Sequence, residues 1–322
     1  MAAWLACGRW LCHKARMPGS QDSAPDPRNA NALVYLNGAL LLRGEARVSI
    51  FDGGFAVGDG VWEGMRLHKG ALLFLGQHLD RLYAGANRIR LDIGMDRRTL
   101  IAEIRRLLDA NGMQDGAHLR VMVTRGEKSA PNQDPRNALG RRTLAIVAEY
   151  KLPDPGLATR GLGLATASIR CTPAEMFDMR LNSHSRLNLI IALLEAIDAG
   201  ADEALLLDPH GFVSTCNATN FFCVRDDVVM TSIGEYCFNG ITRGNVIELC
   251  REHGLPIEIG DFTLEGVYRA EEAFVTGTFG GVTPVREIDG RALPAPLPGP
   301  LTARLRELYE SLKDAEAARN AL

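Results

Sequence analysis

The stretch from Phe238 to Gly254 constrains the fold most, because it joins a turn to a helix. Asn239-Gly240 is a turn signal, and the residues after it that would face inward recur at helical spacing until Gly254. These inward residues are Val246, Leu249, Cys250 and His253. A helix is therefore predicted to begin near Thr242. The first N–H groups of this helix have no partner inside it, and the helix dipole favours negative charge there, so a phosphate could bind at this end. The alternative is an ordinary surface helix whose first turn is capped by a side chain.

Length and composition limit the class of protein. With 322 residues the chain is long enough for two domains, and its net charge of −3 gives no reason to expect nucleic acid or an anionic membrane as a partner. No apolar run approaches the ~20 residues of a membrane-spanning helix. The seven cysteines are odd in number and form no C-x-x-C pair, which predicts reduced thiols and a cytoplasmic location.

The chain divides into a leader, two domains and a linker. Residues 1–30 contain the basic stretch Met1–Arg16, which has no acid, followed by a polar segment. They are predicted to be an unstructured leader or an extended start. Strand and helix patterns over 31–150 predict a small N-terminal domain. The sequence Lys-Leu-Pro-Asp-Pro-Gly at 151–156 predicts the linker, and 157–322 would form the larger C-terminal domain.

A glycine-rich run, Gly58-Asp-Gly-Val-Trp-Glu-Gly64, has a spacing close to that of a dinucleotide-binding loop. Such a loop must open a helix. Here apolar and polar residues alternate from Val61 to His68, which is the period of a strand. The run therefore predicts a strand of the small domain.

Two further segments carry candidate anion ligands. An apolar stripe over 77–90 predicts an amphipathic helix, and Arg81 lies off that stripe, where a solvated arginine is the simplest interpretation. Residues 273–278 predict a strand that ends in hydroxyl side chains, the last of them Thr278. Neither segment alone indicates a site.

In this order and at these spacings, the motifs resemble those of the class IV aminotransferases. These fold-type IV enzymes use pyridoxal phosphate (PLP) and include branched-chain and D-amino acid aminotransferases and aminodeoxychorismate lyases. The resemblance runs from about Val34 to Tyr309. Its segments are Asn37-Gly38, Val48-Ser-Ile-Phe-Asp52, Gly58-Asp-Gly-Val-Trp-Glu63, His78-Leu-Asp-Arg-Leu82, Ala199-Gly-Ala-Asp-Glu-Ala204, Asn239-Gly-Ile-Thr-Arg243, Phe274-Val-Thr-Gly-Thr278 and Thr283-Pro-Val285. It implies a homodimer with an α+β, two-domain fold that has a small N-terminal and a larger C-terminal α/β domain.

The resemblance also implies a phosphate cup for PLP, formed by Arg81, Ile241, Thr242 and Thr278. In the family the arginine of the His-x-x-Arg-Leu helix binds the cofactor phosphate, and here that arginine is Arg81. Ile241 and Thr242 would supply backbone N–H groups and a hydroxyl, and Thr278 a further hydroxyl. A guanidinium, a helix N-terminus and hydroxyls that converge on one dianion form a strong anion site.

One position central to PLP chemistry does not match the family. The family requires a lysine whose amine forms a Schiff base with PLP, but the chain has no lysine between Lys151 and Lys313. Counting back from Gly200 places that position at Asn182. Arg186, which opens the next helix, is the alternative that we favour as a lysine-to-arginine replacement. A guanidinium keeps its proton, with a pKa above ~12, and offers no free amine.

Thr215 is the second departure. The family has a glutamate there, which keeps the pyridine nitrogen of PLP protonated and makes the ring a strong electron sink. Threonine hydrogen-bonds but holds no charge. A bound ring is therefore expected to stay neutral and to stabilise a carbanion less.

Three functions remain open at this point. The first is an aminotransferase-like protein that binds PLP, possibly without a covalent bond, and handles a small amino acid and its 2-oxo acid. The second is a catalytically degenerate or lysine-independent protein that holds a phosphate ligand on the same fold. The third is a PLP-dependent lyase of the aminodeoxychorismate lyase type. No metal site and no nucleic-acid or membrane partner is expected.

Overall fold

The computed structural model describes residues 19–320, and over this range the chain forms two mixed units of helices and sheet. The first unit contains β1 (Leu33–Leu36), β2 (Ala39–Leu42), α1 (Gly53–Val57), β3 (Gly60–His68), β4 (Ala71–Leu72), α2 (Leu75–Arg88), α3 (Arg97–Ala110), β5 (Ala117–Thr124) and β6 (Thr143–Tyr150). The second contains α4 (Leu157–Arg160), β7 (Leu162–Thr166), α5 (Ala174–Phe177), α6 (Leu187–Asp198), β8 (Glu203–Leu207), β9 (Val213–Cys216), β10 (Asn220–Arg225), β11 (Val228–Thr231), α7 (Ile241–Glu252), β12 (Ile257–Ile259), α8 (Leu264–Val267), β13 (Glu272–Gly277), β14 (Gly281–Ile288), β15 (Arg291–Ala292) and α9 (Pro300–Asn320). The predicted α+β architecture is confirmed.

The small sheet has the strand order β2-β1-β6-β5-β3-β4, and its neighbouring strands are antiparallel. Successive side chains of a strand point to opposite faces of the sheet. Buried and less buried residues therefore alternate along β3 and β5. Helices α2 and α3 cover one face with the buried side chains Leu79, Leu82, Leu100, Ile104 and Leu107. The opposite face carries Trp62, Arg66, His118 and Arg120. It faces the second unit, since Arg66 and His118 both contact the Phe279 ring.

The large sheet has the order β12-β11-β10-β13-β14-β7-β8-β9, with β15 beside β14. It is mixed: β11–β12, β14–β7 and β7–β8 are parallel pairs, and the other pairs are antiparallel. On the face covered by α7 and α9, the Phe222 and Phe274 rings stack with their centres 4.9 Å apart. On another part of the sheet, α6 buries Ala192 and Ala196 in a cluster with Leu206 of β8.

Residues 182–184 tie the two units together by pairing with β3. The Trp62 N–H donates to Asn182 O and the His184 N–H donates to Gly60 O, each at 3.0 Å. Asn182 Nδ2 also donates to Trp62 O at 2.6 Å. Because α6 begins shortly after this segment, the pairing fixes the start of α6 against the small domain.

The segment predicted to be an unstructured leader or an extended start makes defined contacts where the structure describes it, while residues 1–18 lie outside the described range. Ser20 is only 2% exposed. The Asn29 side chain bonds both backbone groups of Tyr150, donating to its carbonyl at 2.9 Å and accepting from its N–H at 2.8 Å. The polar composition of this segment did not predict these contacts. Composition shows how many polar side chains a segment has, but not which backbone groups those side chains hydrogen-bond.

The helices of the described chain are too short or too polar to cross a membrane. Residues 19–320 also hold no group of three or more His, Cys, Asp or Glu side chains placed to bind a metal ion.

Candidate active site

A buried carboxylate on β3 joins two basic side chains of α2. Glu63 is 0% exposed, and its carboxylate accepts hydrogen bonds from Arg81 Nε at 2.6 Å and from Arg81 Nη2 at 2.8 Å. His78 Nδ1 lies 2.7 Å from Glu63 Oε2. His78 and Arg81 stand three residues apart on one face of α2, so a single strand carboxylate reaches both. The bidentate bond fixes the orientation of the Arg81 guanidinium.

Burial and charge together set the protonation of this cluster. Burial raises the pKa of Glu63, but the hydrogen bonds and charges of Arg81 and His78 outweigh it, and the pKa lies below its ordinary value. Burial lowers the pKa of His78 below its ordinary value, against the opposing effect of Glu63. At neutral pH, Glu63 is therefore ionised and His78 is neutral, which leaves Glu63 and Arg81 as the charged pair.

The Arg81 guanidinium also meets the turn before α7. Its Nη1 donates to Asn239 O at 3.1 Å, and its central carbon lies 4.2 Å from the centre of the Phe238 ring. Helix α7 begins at Ile241, directly after this turn. The structure thus places Arg81 against the turn that precedes Ile241 and Thr242, across the boundary between the two units.

The N-terminus of α7 has no capping side chain, because the residue at the N-cap is Gly240. Asn220 of β10 holds the turn instead: its Oδ1 accepts from the Gly240 N–H at 3.1 Å, and its Nδ2 donates to Phe238 O at 2.7 Å. A Cβ atom at position 240 would lie 2.4 Å from Asn220 Oδ1, so glycine is required for this approach. Within the described chain, no capping side chain accepts from the N–H groups of the first turn of α7.

The threonine hydroxyls of this region differ in their partners. Thr242 Oγ1 lies 3.2 Å from the hydroxyl of the buried Tyr309, so that hydroxyl already has a partner. Thr276 is 1% exposed and stands opposite Asn220 in the β10–β13 pair, yet its Oγ1 has no hydrogen-bond partner among the described residues. Thr278 follows the end of β13 and is half-buried. No contact in the described chain joins Thr278 to Arg81.

These groups fit the phosphate of PLP. A guanidinium, an uncapped helix N-terminus and a buried hydroxyl without a partner in the described chain are all donors, and a phosphate dianion accepts from each of them. The acid beside them, Glu63, is engaged by His78 and Arg81. The site therefore carries the donor chemistry that the cofactor phosphate requires.

The two candidates for the lysine position lie side by side. Arg186 is the N-cap of α6, and its guanidinium donates to Asn182 Oδ1 at 2.6 Å and to Ser183 O and Leu181 O at 3.1 Å each. Its central carbon lies 5.6 Å from the centre of the Phe238 ring, which Arg81 also contacts. Burial, with the charges of Arg81 and Arg120, lowers the pKa of Arg186 to about 10. At neutral pH Arg186 therefore stays a cation.

Thr215 lies on β9 and is 4% exposed. Its hydroxyl donates to Thr219 O at 2.9 Å and accepts from Asn220 Nδ2 at 3.4 Å. Thr215 therefore belongs to the hydrogen-bond network that also holds the turn before α7, and it adds no charge there.

The face of the small sheet that is turned toward the second unit is aromatic and cationic. The Arg120 guanidinium carbon lies 4.0 Å from the Trp62 ring centre, and Lys151 Nζ lies 4.4 Å from the Phe279 ring centre. The His118 ring meets Phe279 edge-on at 5.6 Å, and burial lowers the pKa of His118 to about 3, so this ring is neutral. The cations of this face favour an anionic ligand.

Sequence reasoning missed Glu63, His78, Asn220, Thr276 and Arg120 as members of the site. The first two had a readable signal, because a strand glutamate after a glycine-rich run precedes a His-x-x-Arg helix. Asn220, Thr276 and Arg120 had none, since their roles depend on strand pairing and on the contact between the two units.

The model of the class IV amino-transferase family matches residues 60–288. That range covers more than half of the chain and contains β3, α2, α7 and the strands that hold the site. The chain therefore belongs to the class IV aminotransferase family, and its N-terminal and C-terminal domains have the fold-type IV architecture.

Three similar proteins place the chain within the family. It is 37% identical over 308 residues to branched-chain-amino-acid aminotransferase-like protein 2 of Arabidopsis thaliana, covering 94% of this chain and 54% of that protein. It is 36% identical over 281 residues to a putative branched-chain-amino-acid aminotransferase of Methanocaldococcus jannaschii, covering 87% and 96%. The solved branched-chain aminotransferase of the thermophilic archaeon Thermoproteus uzoniensis with norvaline matches with a TM-score of 0.79 and 30% identity, over 88% of this chain and 95% of that chain. The chain spans about half the length of the Arabidopsis relative.

Proposed function

We propose that the protein binds PLP or its amine form without a covalent bond and handles a small amino acid and its 2-oxo acid between its two domains. The observation that carries the proposal is the Arg81 guanidinium, fixed by Glu63 beside the uncapped N-terminus of α7. The relatives above are named as aminotransferases or aminotransferase-like proteins, which favours amino-group transfer over the lyase reaction. The absence of lysine over 152–312 favours a second candidate, a protein that holds the phosphate ligand without turnover.

The roles of the residues follow from their chemistry. PLP supplies, when bound, a ring that draws negative charge from the α-carbon of an amino acid. Arg81 and the N–H groups of Ile241 and Thr242 hold the phosphate, with the Thr276 and Thr278 hydroxyls as further donors. Thr215 offers the ring nitrogen a neutral hydroxyl.

His184 is the base that the chain itself supplies in place of lysine. Burial lowers the pKa of its imidazole below the ordinary value, so the ring is neutral at pH 7. Its Nε2 is buried and has no hydrogen-bond partner in the part of the chain that the structure describes. A neutral ring nitrogen of this kind can accept and return a proton.

Arg81→Ala is expected to weaken the binding of pyridoxamine 5′-phosphate by about 1.5–3 kcal/mol, the range for hydrogen bonds to charged groups. Isothermal titration of the purified protein measures this loss. Because the substitution also leaves Glu63 without its main partner, Arg81→Lys serves as a second variant that keeps the charge but not the two-pronged bond. Arg105→Ala on the exposed side of α3 is the matched control, and an equal loss in that variant would contradict the assignment.

We propose that two copies of the chain associate through α6. This helix exposes an apolar stripe in the single chain, formed by Leu187 (68% exposed), Ile190 (53%), Ile191 (40%), Leu194 (45%) and Ile197 (37%). Contiguous apolar patches exposed on a single chain mark interaction surfaces. A reducing, cytoplasmic location is also proposed, because the cysteines of the described chain are buried and free.

The double variant Ile190→Glu and Leu194→Glu is expected to convert the dimer to monomer, because it places charges inside an apolar interface. Sedimentation velocity measures the change. Leu152→Glu, at a site that is 57% exposed and far from α6 in sequence, is the control that should remain dimeric. A wild-type protein that sediments as a monomer would contradict the proposed dimer.

A further inference from the structure

The C-terminal helix α9 places a buried tyrosine behind the N-terminus of α7. Tyr309 is 3% exposed, and its hydroxyl oxygen lies 3.2 Å from Thr242 Oγ1 in the first turn of α7. Burial raises the pKa of Tyr309 to about 12, so the phenol keeps its proton at neutral pH. Helix α9 lies outside the range 60–288 that the family model matches, so the role of Tyr309 has to follow from its own contacts.

Tyr309 touches each of the three segments that carry the proposed phosphate ligands. Its hydroxyl meets Thr242 on α7. Its ring centre lies 6.4 Å from that of Phe74, the N-cap of α2, which is the helix that carries the guanidinium ligand. Its ring also lies against Gly281, where a Cβ atom would come within 3.3 Å of Tyr309 Cε1. Gly281 opens β14 at the end of the turn that contains Thr278.

Ion pairs hold α9 against the first unit as well. Asp314 Oδ1 lies 2.7 Å from His68 Nε2, at the end of β3, and 2.8 Å from Lys69 Nζ. Ala317, further along α9, is buried in a cluster with residues of the segment that follows. Because α9 is fixed to both units, the Tyr309 side chain has a defined place between them.

The two hydroxyl groups of this contact have two O–H donors but only one hydrogen bond between them. Neither Thr242 nor Tyr309 makes a second side-chain hydrogen bond within residues 19–320. One O–H therefore lacks an acceptor in the described chain, although both side chains are buried, and a buried donor without a partner is costly. The phenol is the more acidic group and the better donor, so Tyr309 donates and the Thr242 O–H is left for a ligand.

We propose that Tyr309 is a positioning residue of the phosphate site, which donates to Thr242 Oγ1 and so directs the Thr242 O–H toward the phosphate. This inference rests on the proposed function, because it requires the phosphate to bind at the N-terminus of α7. The bond from Tyr309 uses a lone pair of the Thr242 oxygen and leaves its hydrogen. Thr242 can therefore serve a ligand although it already has a partner inside the protein.

The test is a double-mutant cycle in the full chain, with pyridoxamine 5′-phosphate as the probe and isothermal titration as the measurement. Tyr309→Phe keeps the ring and should weaken binding about 3- to 10-fold, as for one hydrogen bond. In a Thr242→Val background the same substitution should cause no further loss, because no threonine hydroxyl remains to be directed. In a Thr242→Ser background, which keeps a hydroxyl, the loss should return.

Tyr268→Phe is the matched control, since it also removes a tyrosine hydroxyl, one that donates to Asp289 Oδ2 at 2.7 Å in the same unit. It should bind the probe as the wild type does. Inorganic phosphate is the second probe and needs only the single variant: Tyr309→Phe should weaken its binding by a similar factor, because the effect acts on the phosphate alone.

The outcomes separate this role from a purely structural one. Unchanged affinity of Tyr309→Phe for both probes, or an equal loss with and without the Thr242 hydroxyl, would overturn the role of Tyr309 and leave the proposed function standing. Failure of the wild type to bind pyridoxamine 5′-phosphate would overturn the proposed function, and this inference with it.

Discussion

Glu63→Gln is expected to lower the free energy of unfolding by about 3 kcal/mol, because it breaks a buried ion pair from one side. Arg81 loses its anion, and His78 loses the carboxylate at 2.7 Å, while the volume of the side chain is kept. Urea denaturation followed by circular dichroism measures the loss. Glu103→Gln is the matched control: Glu103 pairs with Arg106 at 2.7 Å on the surface of α3, where such pairs contribute less than about 1 kcal/mol.

The pH dependence of stability has a definite sign for this cluster. The pKa of Glu63 is lowered in the folded state, so its contribution is present above the unfolded pKa and is lost as the pH falls through the folded value. The pKa of His78 is also lowered, so the unfolded chain takes up a proton first as the pH falls below ~6.5, and stability decreases again. Acid therefore destabilises through both groups, and Glu63→Gln should remove the carboxylate part of this decrease. A variant as acid-sensitive as the wild type would show that the cluster does not set the profile.

Local sequence patterns were enough to predict the helices and the strand that carry the residues of the candidate site. The periodicity of the helix with Arg81, the alternation through His68 and the turn at Asn239-Gly240 each depend on neighbours in the sequence. The structure has α2, β3 and α7 at those segments. Such patterns report which face of an element is buried, and this is decided by residues only a few positions apart.

Contacts between distant segments were not predictable in the same way. The pairing of residues 182–184 with β3 joins positions about 120 apart, and no spacing rule encodes it. The same holds for Asn29, whose side-chain amide hydrogen-bonds both backbone groups of Tyr150. The sequence around Asn29 predicted an unstructured leader or an extended start. Side chains that satisfy backbone groups far along the chain become visible only once both partners have been placed.

The wild-type protein is expected to take no covalent pyridoxyl label on residues 152–312 after reaction with PLP and reduction with borohydride. The chain offers no amine side chain there, and the Arg186 guanidinium remains protonated at neutral pH. Peptide mass spectrometry of the reduced protein is the measurement. Stoichiometric label at Lys151 would contradict a purely non-covalent site, because Lys151 Nζ lies 4.4 Å from the ring centre of Phe279, the residue after Thr278, and burial lowers the pKa of this amine.

Arg186→Lys is the companion variant and should turn that absence into stoichiometric label at position 186, with a new visible absorption band. The Arg186 guanidinium carbon lies 5.6 Å from the centre of the Phe238 ring that Arg81 also contacts, so a primary amine at this position is expected to lie near the proposed phosphate site. Asn182→Lys should gain less covalent label, because the substitution breaks two hydrogen bonds of the Asn182 side chain. Asn182 donates to Trp62 O and accepts from Arg186. Arg180→Lys is the control without label, since Arg180 is exposed and paired with Asp178 at 2.9 Å. Adding Thr215→Glu to Arg186→Lys should increase turnover of the variant before reduction, by supplying the missing charge. Label in Asn182→Lys but not in Arg186→Lys would instead assign the lysine position to Asn182, four residues earlier.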